Sequence, residues 1–334
     1  MSTYYRFALL DPRPIPAAAE ANEAVFASGP VLGVEVTVPA LAGRCSLGNI
    51  DPQHTDGDTS RAAVEAIIDR FVVSGEDFPE RQTVLATVRA DLDAVGAMAI
   101  LEIAQWESCS QTVDTGIVPA VDQVFSADAL ERIALIASAD KFARGAWPGQ
   151  RPLPTTENPW PKEAEGSVDS TRSIAAIAAA VADFRIPLDQ RVEWMMRWLT
   201  SGEEPESYRT KVEAERAEMI RALETSEISI SLAAGDRIAV VESTHRAATA
   251  VGYAHAPVVV ALNPAFRLGQ GEPHRKFTVC AYTAQVADIR GALAELAALE
   301  PGWGGSPTIG GSPQGVPSTL TIEEVVGVVQ KYLK

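Results

Sequence analysis

The sequence predicts an α/β protein of two lobes: an N-terminal doubly wound, mainly parallel sheet and a smaller C-terminal α/β lobe, joined by a helical middle. Three observations lead there. Short apolar strand-like runs alternate with amphipathic helical stretches in both halves of the 334-residue chain. Between the halves, three helical segments follow one another without an intervening strand. A proline-dense stretch from Gly145 to Gly166 separates the first half from those helices, and prolines at that density exclude helix and central strand. A chain this long can bury two cores. The expected division is therefore 1–145 for the first lobe, 146–225 for the crossing and helical connector, and 226–334 for the last lobe.

Taken in order, Tyr4–Leu10 and Val31–Val38 read as strands, with a short helix at Ala17–Ala27 between them. Thr59–Val73 carries apolar residues at Ala62, Ala63, Ala66, Ile67 and Phe71, the stripe of an amphipathic helix. Thr83–Ala90 reads as a buried strand, followed by helices at Val95–Gln105 and Ala127–Phe142. The middle helices are Thr171–Phe184, Leu188–Thr200 and Glu206–Glu224. Strands return at Ile228–Ala233, Arg237–Val241, Val258–Leu262 and Lys276–Tyr282, and helices at Val286–Ala298 and Thr321–Tyr332 complete the chain. Trp194 and Trp198, four apart on one helix, read as core.

The formal net charge is −16, from 28 basic and 44 acidic residues. Such a surface repels phosphate backbones and anionic lipid heads, which argues against wrapping nucleic acid. A small anionic substrate remains compatible, because the field near a bound metal outweighs distant surface charge. The longest apolar stretch, Ile174–Ala182, is far shorter than the roughly 20 residues of a membrane span. Met1–Pro16 lacks the basic-then-apolar pattern of a secretory leader. The three cysteines, Cys45, Cys109 and Cys280, are odd in number and widely spaced, as expected of reduced, buried thiols. A cytoplasmic location is the expectation, and a homodimer is compatible with it.

Four constellations could carry chemistry. In Asp51-Pro-Gln-His54-Thr-Asp56-Gly-Asp58, three carboxylates and an imidazole crowd into eight positions. A divalent cation would hold them together, since carboxylate oxygen and neutral imidazole suit Mn²⁺, Fe²⁺ or Zn²⁺; the competing reading is a polar turn in which Asp56 or Asp58 caps the helix that starts near Thr59. In Arg89-Ala-Asp91-Leu-Asp93-Ala-Val-Gly96, two carboxylates stand where an apolar strand gives way to a helix, the edge at which open α/β sheets bind ligands. Read as strand, Arg89, Asp91 and Asp93 would share one face. Asp140 ends an apolar helix against the helix dipole and needs a compensating partner, a metal or a nearby Lys141 or Arg144. In Gly302–Gly315, the units Gly304-Gly305-Ser306 and Gly310-Gly311-Ser312 could present backbone N–H groups and hydroxyls to an anion, or form a plain turn. His245 and Arg246 follow a strand and could face a substrate.

This set of segments resembles the DHH phosphoesterase superfamily. Thr87–Gly96 is similar to that family's first motif, His-x-Asp-x-Asp-Gly before a helix. Ile50–Asp58 looks like a degenerate Asp-His-His motif, and Arg237–Pro264 with Lys276–Gly315 is similar in order to its C-terminal lobe. The chain departs from the family in placing Arg89 where the first-motif histidine stands and Asp51-Pro-Gln-His54 where Asp-His-His stands. The latter loop also precedes the Asp-x-Asp segment, and Ser306 and Ser312 occupy a loop that usually carries histidine.

The resemblance implies a metal-bearing N-terminal lobe and a C-terminal lobe whose glycine loop binds a phosphate. The expectation is a metal-dependent hydrolase of a small anionic molecule, a phosphoester first and a C–N or C–O bond second. Asp51, His54, Asp56, Asp91, Asp93 and Asp140 are the expected metal ligands or their supports. Asp58 or Asp56 would be the general base, and Arg89, His245, Arg246 and the glycine loop would take the substrate across an interlobe cleft. Mn²⁺ is the first expectation for the metal, with Fe²⁺ and Zn²⁺ as alternatives. A rival expectation is an inactive DHH-like protein that binds a small ligand.

Overall fold

The computed structural model describes residues 4–13, 15–52, 61–111, 121–141, 170–267, 272–313 and 315–334. Two compact units emerge, and α/β architecture holds in both. The first contains the chain through Lys141 together with Ser173–Lys211, and the second contains Val212–Lys334.

The first unit is built on a four-stranded parallel sheet: β1 (Arg6–Leu9), β2 (Val31–Val34), β3 (Asn49–Ile50) and β4 (Val84–Thr87), in the spatial order β1-β4-β2-β3. Each strand is short, and β2 and β4 are buried along their whole length, as expected of parallel strands covered on both faces. The helices that connect and cover them are α1 (Pro16–Ala27), α2 (Pro39–Ala42) and α3 (Ala63–Ile67), the last continued by a π-helical turn over Ile68–Val73. Period-two alternation sorts the strand residues. Leu32, Val34 and Leu85 face one core, whereas Val31, Val84 and Ala86 face the other with Val25 and Phe26 of α1 and Leu41 of α2.

The larger core forms around α4 (Leu92–Gln111), which runs on beyond the expected Gln105. Residues from Ala94 to Ala104 are almost all buried, including Met98, Ile100 and Leu101 at 0% exposure; each such aliphatic side chain stabilises by roughly 1.5–3 kcal/mol. Gly96 lets α4 lie close to its neighbours, since a Cβ there would stand 3.0 Å from Ile136 and from Val64. The buried Glu102 carboxyl accepts the N–H groups of Tyr4 and Tyr5 next to β1 and the Trp106 indole N–H, so this buried acceptor is satisfied. After α5 (Val121–Val124) and α6 (Ala127–Lys141), helices α7 (Ser170–Val181) and α8 (Leu188–Ser201) also contribute to this core through Ile177, Met195 and Trp198. Two of the three middle helices expected to form a connector, α7 and α8, thus pack within the first unit, where their apolar stripes complete its core. α9 (Glu206–Glu224) runs from the first unit's residues into the second's.

The second unit holds a six-stranded mixed sheet in the order β5-β6-β7-β8-β10-β9. Its strands are β5 (Ser229–Ala233), β6 (Ile238–Glu242), β7 (Val258–Phe266), β8 (His274–Ala281), β9 (Gly304–Gly305) and β10 (Ile309–Gly311). Only β6 and β7 run parallel, joined through α10 (Ala248–His255). One face packs on α11 (Ile289–Leu299) and α12 (Ile322–Gln330), and the other on Met219 and Ala222 of α9 and Val251 of α10. No helix among the described residues is long and apolar enough to cross a membrane. The proline-dense stretch lies outside the described residues.

Candidate metal centre

The carboxyl ends of the parallel strands in the first unit gather acidic residues. Glu35 follows β2, Asp51 follows β3, and Asp91 and Asp93 lie just beyond β4, with β4, β2 and β3 adjacent in the sheet. This edge of a parallel sheet is where ligands collect.

Glu35 sits in a run that is otherwise apolar, Val31-Leu-Gly-Val-Glu35-Val36. Its φ of 53° is left-handed, a conformation that costs a non-glycine residue on the order of 1–3 kcal/mol. Its own N–H donates to the Ile50 carbonyl at 2.8 Å, which ties the end of β2 to β3, and the residue is only 6% exposed. β4 stops at Thr87, whose hydroxyl accepts the Arg89 N–H at 3.2 Å and turns the chain. Asp91 then caps α4 by accepting the Ala94 N–H at 3.0 Å. Asp93, in the first turn of α4 and 1% exposed, accepts the Ala63 N–H at 2.6 Å and the Val64 N–H at 3.0 Å, closing the amino end of α3. Asp140 lies in the last turn of α6. Glu35, Asp93 and Asp140 each offer a carboxylate oxygen within 4.8 Å of the others.

Three carboxylates at that separation repel one another by roughly 3–4 kcal/mol per pair at an effective dielectric near 20. The protein responds by holding protons. Burial first, and then the charges of Asp93, Asp91 and Asp140, push the Glu35 carboxyl up to about 10, and a hydrogen bond with Asp91 adds to this. Burial and the charge of Asp140 likewise push Asp93 up to about 7, against the pull of the Val64 and Ala63 N–H groups. A cation would relieve the same repulsion. The donor set of the triad is all carboxylate, and such sets suit hard, oxygen-seeking ions such as Mg²⁺, Ca²⁺ and Mn²⁺.

The structure thus brings together Asp93 and Asp140 from the expected ligands, places Asp91 beside them, and adds Glu35, which the sequence reading missed. Its signal was present: one carboxylate inside an apolar strand run is costly unless something compensates it. Asp51 is fully buried at the end of β3 but is not one of the triad. His54, Asp56 and Asp58 lie outside the described residues. The expectation that Arg89, Asp91 and Asp93 share one strand face is corrected: the strand ends before them, so Asp91 and Asp93 belong to a helix start. The Arg89 side chain is 83% exposed and stands 3.6 Å from Asp91, a surface pair.

The remaining expected site residues belong to the second unit. His245 Nδ1 accepts the Ala247 N–H at 3.1 Å, and its Nε2 lies 3.2 Å from Glu218 without the alignment of a hydrogen bond. Arg246 pairs with Glu215 at 2.7 Å. Both border an open cavity with Glu218, Glu242 and Ser243. The glycine segment is a β-hairpin at the sheet edge, with Gly310 opposite Gly305 and Gly311 opposite Gly304. Packing accounts for three of its glycines: a Cβ at Gly305 would stand 2.2 Å from the Ile309 carbonyl, at Gly310 2.3 Å from Leu293, and at Gly311 2.4 Å from the Phe277 carbonyl. Gly304 meets nothing within 4 Å. The buried Ser312 hydroxyl accepts the Phe277 N–H at 2.9 Å, while Ser306 is exposed and bonds within the hairpin turn. Cys45 and Cys280 are buried thiols, pushed by burial up to about 11 and about 12, which suits packing and not nucleophilic attack.

No protein-family model matches this sequence, and no curated protein is significantly similar to it.

Proposed function

We propose that the chain is a divalent-metal-dependent hydrolase whose metal is held by Glu35, Asp93 and Asp140, with Asp91 as their neighbour, and whose substrate is a small anion, a phosphoester in the first instance. The observation that carries the proposal is the meeting of three carboxylates, two of them buried, within 4.8 Å at the carboxyl edge of a parallel sheet. Mn²⁺ is the first ion of the proposal, one of the hard cations that an all-carboxylate set suits. Bound there, such a cation supplies Lewis-acid activation of water and of a substrate oxygen.

The protein's own groups do the rest. Asp93 is held by two backbone donors and keeps its carboxylate fixed, while Glu35 is fixed by its strained backbone and its bond to Ile50. Asp91, half-exposed and hydrogen-bonded to Glu35, would take the proton from the reacting molecule. Its capping bond uses one carboxylate oxygen. The resemblance to the DHH phosphoesterases implies metal ligation at Asp93, in keeping with its part in the proposed centre.

The experiment is elemental analysis of protein purified without chelator, followed by Mn²⁺ titration and a phosphatase or phosphodiesterase assay on small chromogenic esters. A near-stoichiometric metal that disappears in Glu35→Gln and Asp140→Asn supports the proposal. A protein that stays metal-free through the titration defeats it.

A second reading has one specific observation in its favour: both Asp93 oxygens already accept backbone N–H groups. If that bonding and a shared proton between Glu35 and Asp91 satisfy the cluster, the first unit is an inactive ligand-binding relative. Metal content separates the two.

A further inference from the structure

At the opposite, amino-terminal edge of the same sheet, the first unit contains a cavity of about 350 Å³. We propose that it is a binding site for a small planar aromatic ligand, neutral or cationic, with a single polar ring atom.

Three independent features meet there. The first is an aromatic wall. Phe71 and Phe78 stack with centroids 5.7 Å apart and planes 22° from parallel, and Leu32 and Pro79 extend the apolar lining. Rings in such a wall favour a further flat ring by offset stacking. The second is an orphaned hydroxyl. Thr83 lines the cavity and is 1% exposed, yet its Oγ1 has no hydrogen-bond partner. A buried hydroxyl without a partner costs about 1–3 kcal/mol, and one polar ligand atom would remove that cost. The third is the π-helical turn over Ile68–Val73, seen in the bond from Ser74 N–H to the Asp69 carbonyl five residues back. Such turns are uncommon and recur at functional sites, and this one supplies Phe71.

Size and charge narrow the ligand. A volume near the lower end of small-molecule sites, about 300–1,000 Å³, holds one or two fused rings. At the rim, Asp77 and Glu80 are exposed carboxylates, whereas the one lining cation, Arg70, is already forked onto Glu76. The rim therefore repels anions and tolerates an amine. The site owes nothing to the acidic triad, which lies at the other ends of β2 and β4.

The test uses three probes on the full-length protein, followed by ligand-observed saturation-transfer NMR: indole, its cationic relative tryptamine, and the anionic indole-3-acetate. Indole and tryptamine should bind, and indole-3-acetate at least about tenfold more weakly. Thr83→Val, nearly isosteric, should weaken indole about fivefold, the value of one hydrogen bond. Phe78→Ala should abolish binding. Phe78→Leu, which keeps apolar volume and guards against misfolding, should weaken it several-fold with an unchanged circular dichroism spectrum. Asp140→Asn should leave indole binding as it was. Absence of binding by the wild-type protein at millimolar probe, equal affinity for all three probes, or wild-type affinity in both Thr83→Val and Phe78→Leu would overturn the assignment.

Discussion

Asp93 reaches back thirty residues to accept the backbone N–H of Ala63 at 2.6 Å, and so one carboxylate both closes the amino end of α3 and stands in the acidic triad. The first four N–H groups of a helix have no partner within it, and Asp93 satisfies two of them with a charge that the helix end favours. Structural and chemical roles therefore fall on the same side chain, and substitution should separate them.

Asp93→Ala should cost about 2–4 kcal/mol in urea unfolding, because it orphans the Ala63 and Val64 donors in a buried site. Asp93→Asn keeps one acceptor and removes the charge. It should cost less than Asp93→Ala and abolish metal binding equally. Equal stability of the two variants would show that the bonds to α3 carry no weight.

The acidic triad makes the metal-free protein sensitive to alkali. Glu35 and Asp93 sit above their unfolded values, so between the ordinary carboxylate range and about 10 the native chain holds more protons than the unfolded one. Stability should then fall as pH rises through about 7 and on towards 10. Melting temperatures in chelator should decrease steadily from pH 5 to pH 9. Mn²⁺ must displace those protons, so its stabilising effect should grow over the same range. A melting temperature independent of pH, with and without Mn²⁺, would contradict the arrangement.

Much of this architecture was legible in the sequence. The strands at Val31, Thr83, Arg237, Val258 and Lys276 announced themselves by apolar runs, and the stripes of α8, α11 and α12 by their periodicity. The site was legible only in part. Asp93 and Asp140 stood out because a carboxylate at a strand–helix junction or a helix carboxyl end needs a partner. Glu35 carried a weaker signal, a lone carboxylate in an apolar run, and its meeting with Asp93 and Asp140 depends on a left-handed φ that the sequence does not show. Local periodicity also extended β4 through Ala90, whereas the Thr87 hydroxyl ends it earlier by bonding Arg89. The glycines of the last loop suggested an anion cradle, but sequence does not reveal which glycines face a neighbouring strand. That is a long-range fact of sheet pairing.

The hairpin glycines give a test of that point. Gly305→Val forces a side chain against the Ile309 carbonyl and should destabilise the second unit by several kcal/mol, in the range of severe overpacking. Gly304→Ala meets open space and should be tolerated. Ser312→Ala orphans the Phe277 N–H and should cost about 1–3 kcal/mol. Thermal unfolding of the three variants checks the order. If Gly305→Val folds with wild-type stability, the strand pairing at this edge is wrong.

Arg89 stands at the surface beside Asp91 and contributes little to the fold. An ion pair with one partner 83% exposed and the other 35% exposed contributes at most about 1 kcal/mol, so Arg89→Ala should change stability little.

Glu35 gives the sharpest discrimination between a metal centre and a proton-sharing acidic cluster. Its carboxyl is protonated at neutral pH in the metal-free protein, because burial and three neighbouring carboxylates oppose its charge. Glutamine resembles that protonated acid in size and in its ability to donate to Asp91. Glu35→Gln should therefore leave the metal-free protein about as stable as the wild type near pH 4, where the unfolded glutamate is protonated too. Above about pH 5 the variant should be increasingly the more stable of the two, since the wild type must either hold its proton against the solvent or bury a charge. The same substitution removes one of three anionic ligands, so Mn²⁺ affinity should fall at least tenfold by calorimetric titration, a size of loss common when a metal-site residue is changed. Loss of Mn²⁺ binding with retained low-pH stability marks Glu35 as a ligand whose proton the metal replaces. Unchanged Mn²⁺ affinity would remove Glu35 from the centre, and with it the geometric core of the proposed function.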